Sequence, residues 1–141
     1  MERRVRFSLN PNLEFTTPDG SPEVRYGVVE GEQIIETSSL TSTDRGASHP
    51  SGAVRLLPPC SPSKIVCVGR NYLEHARELG NEPPAEPLIF LKPPSALNAA
   101  GGAVVYPPVS QRLDYEGELG LVIGRRVRNV SAAEGEQAVL G

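Results

Sequence analysis

Two pairs of residues in this chain have the types and spacing to do chemistry. Glu116 and Glu118 stand two apart in the run Asp114-Tyr115-Glu116-Gly117-Glu118-Leu119-Gly120-Leu121-Val122-Ile123-Gly124, which reads as an apolar strand with carboxylates at its mouth. Side chains alternate faces along a strand, so the two glutamates would project together with Cβ atoms ~6.6 Å apart. Like charges that close repel, and a hard divalent cation such as Mg2+ or Mn2+ relieves the repulsion by taking oxygen from both. Asp114 shares the face but would lie about 13 Å from Glu118 along the strand, too far for a short side chain to share one ion. The strand therefore offers two ligands and no evident third. The competing reading is an exposed strand whose carboxylates pair with Arg112, Arg125 and Arg126. The second pair is His75 and Glu78, three residues apart on a predicted helix and so on one face. A carboxylate beside an imidazole fixes its orientation, which is the arrangement of a general base acting on water. The same spacing also makes an ordinary surface ion pair.

Positioning these residues calls for a mostly β fold with two helical pieces. Residues 1–37 read as a small meander. Arg4 to Leu9 alternates polar and apolar, Val24 to Glu30 gives a second strand and Gln33 to Glu36 a third, with a tight hairpin at Glu30-Gly31-Glu32. Residues 38–52 are polar and turn-rich, the best linker in the chain, and His49 within them reads as an exposed loop histidine with no partner residues around it. Lys64 to Gly69 is a continuous apolar strand suited to a core. The helix carrying His75 and Glu78 is predicted over Tyr72 to Leu79, with Tyr72, Ala76 and Leu79 at i, i+4, i+7 and Gly80 as its stop. Asn81 to Pro87 is too proline-rich for regular structure and suits either a lid hinge or a surface loop. Leu88 to Leu91 and Ala103 to Tyr106 read as short strands, and Leu113 to Arg128 as a long strand or bent pair broken near Gly124. Ser131-Ala132-Ala133-Glu134 is a capping-box pattern that opens a last helix running toward Leu140.

Composition narrows the partners. The 141 residues carry a net charge of −3, which argues against nucleic acid or an anionic membrane as the main partner. Arg125-Arg126-Val127-Arg128 reads as a solvated turn rather than a binding patch. The 14 glycines and 14 prolines imply many turns without reaching the level of disorder. No apolar run is long enough to span a bilayer, and the charged start Met1-Glu2-Arg3-Arg4 lacks the apolar core of a secretory signal, so a cytoplasmic location is the expectation. Cys60 and Cys67 match no zinc pattern and are expected to be reduced, with Cys67 a small hydrophobe in its strand. The chain stops just past its last helix, as a truncated polypeptide or a fragment of a longer one would.

Taken together, three motifs resemble the fumarylacetoacetate hydrolase superfamily: Val68-Gly69-Arg70-Asn71-Tyr72-Leu73-Glu74-His75, Pro87-Leu88-Ile89-Phe90-Leu91-Lys92-Pro93-Pro94-Ser95, and Asp114-Tyr115-Glu116-Gly117-Glu118-Leu119. Their order and spacing match as well. Residues 1–57 resemble the small N-terminal β domain of many bacterial members, and residues 58–141 the N-terminal portion of the catalytic domain, a mixed β-roll that is incomplete here. The resemblance implies a metal-dependent enzyme of 2-oxo or enol carboxylates, a homodimer at full length. The leading expectation is hydrolysis of a C–C bond in acylpyruvate or fumarylpyruvate-type acids. The alternatives are isomerisation of 2-hydroxyhepta-2,4-dienedioate in aromatic catabolism, decarboxylation of oxaloacetate-type acids, or a truncated fragment without catalysis. By the same resemblance Glu116 and Glu118 are metal ligands for Mg2+ or Mn2+, His75 is the catalytic histidine and Glu78 the acid paired with it under a lid helix. The family's third metal ligand, an aspartate some tens of residues after the glutamate pair, falls beyond Gly141. Arg70 and Lys92 are candidate anchors for a substrate carboxylate, and each also reads as a structural or surface cation.

Overall fold

The computed structural model describes residues 2–9, 23–78, 80, 82 and 84–141. Leu79, the last apolar position of the predicted helix, and Asn81 and Pro83 of the proline-rich segment lie outside these residues, as does Met1. The fold is mostly β, with antiparallel pairing throughout. The alternating segments near the N-terminus form β1 (Arg4–Ser8), β2 (Arg25–Glu30) and β3 (Gln33–Thr37). In the β2–β3 hairpin Glu30 pairs with Gln33, and Gly31 opens the connection at φ +60°, a conformation glycine adopts without steric cost. Two short strands complete the sheet, β4 (Ser48–Pro50) and β5 (Arg55–Leu57), in the order β4-β3-β2-β1-β5.

The expected linker over residues 38–52 is corrected in its second half, where β4 and a turn of 3-10 helix at Ser51–Ala53 take its place. A short edge strand needs little propensity of its own when the neighbouring ladder reaches out to it. Beyond the register pairs Gln33↔Pro50, Ile34↔His49 and Ile35↔Ser48, the Glu36 N–H donates to Ala47 O at 2.8 Å and the Gly46 N–H to Glu36 O at 2.9 Å. The first half of the segment remains a loop, tied by Asp44 to the Ser38 N–H at 3.0 Å and by Arg4, which donates to the carbonyls of Leu40 and Ser42.

The core of this sheet follows from the period-2 alternation. Phe7, Gly27 and Ile34 share one face, with Phe7 and Ile34 essentially inaccessible at 0% and 1%, while Val28 and Leu57 are buried on the other. Gly27 is required by space. A Cβ there would lie 2.6 Å from Ile34 Cγ2 and 2.8 Å from Ile35 O, so any side chain would drive Phe7 and Ile34 apart.

The apolar run after the loop forms β6 (Ile65–Gly69), paired with β7 (Leu88–Lys92) in the register Ile65↔Lys92, Cys67↔Phe90, Gly69↔Leu88. Between them lies α1 (Leu73–Glu78), one residue shorter at its start than predicted; Ala76 is buried and Gly80, at φ +68°, terminates it as its position implied. Cys60 and Cys67 are both free and half-buried.

The chain divides into two compact units at Ala100/Gly101. In the second unit α2 (Ala132–Glu136) begins with the predicted capping box: the Ser131 hydroxyl accepts from the Glu134 N–H and the Glu134 carboxylate accepts from the Ser131 N–H. It does not run on toward Leu140. The chain turns at Gln137 and pairs back, with Leu140 N–H donating to Val122 O at 2.7 Å, Gly124 N–H to Ala138 O at 2.8 Å and a bridge between Ile123 and Val139. Tertiary pairing here outweighs the propensity of a short helix to continue. The strands expected at Ala103–Tyr106 and over Leu113–Arg128 are also corrected, since outside the Ile123 bridge these residues adopt no strand. Alternation reports which faces a strand would bury, whereas a strand exists only where a neighbouring ladder satisfies its backbone. Gly117 and Gly120 further lower the preference for extension.

Candidate functional site

In the first unit the predicted catalytic pair rests on how β6 turns into α1. Gly69 closes the β6–β7 ladder opposite Leu88, whose Cδ2 would lie 3.0 Å from any Cβ added there. The next residue, Arg70, takes φ +53°, a left-handed conformation unusual for a residue with a side chain, and reverses the chain into the helix. The Ala76 N–H then closes the first helical turn on Tyr72 O at 3.0 Å. His75 and Glu78 emerge on one side of this turn with Nδ1 and Oε2 4.0 Å apart, at ion-pair range and beyond a direct hydrogen bond. The imidazole side chain is 41% exposed and the carboxylate 77%, so both reach solvent and incoming solute. Their neighbours Glu74 and Arg77 pair with each other at 2.9 Å.

Arg70 and Lys92 are both exposed but are held apart. Arg70 follows Gly69 at one end of the β6–β7 hairpin, whereas Lys92 is opposite Ile65 at the other end. Four residue steps separate these ends, about 13 Å of strand rise. From these positions Arg70 adjoins the helix of His75, and Lys92 serves a different end of the hairpin.

In the second unit Glu116 and Glu118 lie in an exposed segment without strand structure. Asp114, excluded above by distance, is engaged elsewhere, its Oδ2 2.6 Å from Arg112 Nε. Glu118 makes no hydrogen bond or ion pair with a described residue. Among the described residues no three histidine, cysteine, aspartate or glutamate side chains converge as a metal site. The donor set present is nonetheless of the right chemistry: two hard carboxylates suit Mg2+, which commonly keeps several waters and binds through one or two carboxylates.

A polar cluster that the sequence did not reveal lies in the N-terminal sheet. His49 is not the exposed, partnerless loop residue expected. It sits on β4 with its side chain 19% exposed, Nε2 2.8 Å from Glu36 Oε1, and its ring stands 5.7 Å from that of Phe7. The same Glu36 oxygen accepts from Arg25 Nη1 at 2.5 Å, and Arg25 Nη2 reaches Glu23 at 3.0 Å. The Arg25 guanidinium, and secondarily His49, hold the Glu36 carboxyl below its ordinary range. Arg25 thus holds one carboxylate at each terminal nitrogen, Glu36 and Glu23. The signal available in the sequence was the strand period that puts Ile34 and Glu36 on one face; the turn-rich flanks of His49 hid its half.

A family model described as "Fumarylacetoacetate (FAA) hydrolase C-terminal" matches residues 64–141, which include every residue of the two pairs. The chain is 39% identical over 135 residues to Protein Rv2993c of Mycobacterium tuberculosis, covering 89% of this chain and 50% of that protein. It is 54% identical over 68 residues to the mitochondrial oxaloacetate tautomerase FAHD1 of Arabidopsis thaliana, covering 48% of this chain and 30% of that one. Among solved structures it is similar to a 2-hydroxyhepta-2,4-diene-1,7-dioate isomerase from Mycobacterium marinum, with TM-score 0.71 and 34% identity over 100% of this chain and 52% of that chain. The chain thus spans about half the length, or less, of these relatives.

Proposed function

This chain belongs to the fumarylacetoacetate hydrolase family, and from that premise we propose that it moves a proton on a 2-oxo or enol carboxylate, with His75 as the base and Glu78 as its orienting partner. The observation that carries the reading is the solvent-facing His75–Glu78 pair at 4.0 Å on α1, inside the stretch matched by the family model. An imidazole can take a proton from the carbon next to the oxo group and return it to the oxo oxygen or to a more distant carbon. The first is tautomerisation and the second isomerisation; both conserve every atom of the substrate. Glu78 would keep the imidazole turned toward the substrate and balance the charge it gains. Arg70, next to this helix, is proposed to hold the substrate carboxylate, and Lys92 a second polar group farther away. Glu116 and Glu118 would hold Mg2+ or Mn2+, which when bound supplies Lewis acidity to the oxygens of a 2-oxo acid.

A second reading is the hydrolysis expected from the sequence motifs, in which the same pair would deprotonate a water attacking the distal carbonyl of an acylpyruvate. Relatives named for tautomerase and isomerase activity favour proton transfer. The test is a comparison of rates with Mg2+ present. Enol-to-keto conversion of oxaloacetate, followed by the loss of enol absorbance, is expected to fall at least tenfold in His75→Ala, and less in Glu78→Gln, with unchanged circular dichroism. An unaltered rate in a folded His75→Ala protein would overturn the assignment. Cleavage of an acylpyruvate without any tautomerisation would favour the hydrolytic reading. Ligation is read independently of turnover: Mn2+ binding, followed by the loss of free-ion paramagnetic signal, is expected to weaken in Glu116→Ala and in Glu118→Ala, and affinity unchanged from the native chain in both variants would remove the two glutamates as ligands.

A further inference from the structure

We draw no further inference here: the strongest candidate, the exposed apolar face of the β6–β7 hairpin formed by Val66, Val68, Ile89 and Leu91, carries nothing because nothing in the structure shows what covers it.

Discussion

Glu36 shows at the scale of one residue how position decides chemistry. Its carboxylate bridges β2 and β4 by accepting from Arg25 and His49 through a single oxygen. Because the folded state holds this carboxyl below its unfolded value, it stabilises the sheet above the ordinary glutamate range, about pH 4.3, and that contribution is lost as pH falls through the lower folded value. Urea midpoints measured from pH 6 down to pH 3 should therefore fall more steeply for the native chain than for Glu36→Gln, and parallel curves would remove the bridge as a source of stability. Gly27 gives a companion prediction of the opposite kind, because it contributes by having no side chain. Gly27→Ala should cost about 1–3 kcal/mol in denaturant unfolding, since the new methyl meets both a packed isoleucine and a backbone oxygen that cannot swing aside. Neither role was fully legible. The strand period located Glu36 and Gly27 on the Ile34 face, but Glu36's histidine partner came from β4, a strand of three residues whose sequence is rich in turn formers. The His75–Glu78 spacing was legible because a helix brings i and i+3 together locally, without help from distant chain.

Elements were readable to the extent that their determinants are local. The capping box of α2, the glycine stop of α1 and the β2–β3 hairpin all depend on residues within a few positions of one another, and each forms where its motif stands. Strands that depend on a remote partner were not readable from alternation. Leu113 to Leu121 has the pattern of a strand yet forms none, whereas the following residues Val122 to Gly124 meet a segment, 138–141, that bonds to their backbone. The carboxylates of the proposed metal pair consequently sit on an exposed, non-strand stretch, and their convergence depends on side-chain reach rather than on a fixed pleat. The cap makes a test at this scale. Ser131→Ala removes the hydroxyl that accepts from the Glu134 N–H and should cost about 1 kcal/mol locally. Amide exchange at Glu134 and Gly135 should then accelerate several-fold, while Ser131→Asp, which keeps an acceptor at the cap, should leave it slow. Fast exchange in both variants would show that the helix is held by its pairing partners and not by its cap.

Across the whole molecule, apolar burial is uneven in a way that neither composition nor local pattern discloses. The N-terminal sheet encloses Phe7, Val28, Ile34 and Leu57, whereas among the described residues the exposed large apolar side chains before Val66 are Leu9 and Leu56. The β6–β7 hairpin is the extreme case, because every residue of β7 is exposed and the cross-strand pairs Val66↔Leu91 and Val68↔Ile89 put four aliphatic side chains on one open face. Tyr115, at 99% exposure, shows the same condition in the second unit. A contiguous apolar surface of this kind lowers its free energy by leaving water, so it should bind apolar solutes and promote association of the 141-residue chain. Replacing Val66 and Ile89 with threonine keeps the β-branched shape that suits a strand while making the face polar. The double variant should bind an environment-sensitive apolar dye more weakly and associate less with rising concentration. Its N-terminal sheet should unfold at the same urea concentration, because the substituted residues belong to a separate two-stranded sheet. Dye binding that survives the double substitution would show that Val66 and Ile89 do not form the dye site, and a lowered urea midpoint would show that the hairpin and the N-terminal sheet unfold as one cooperative body.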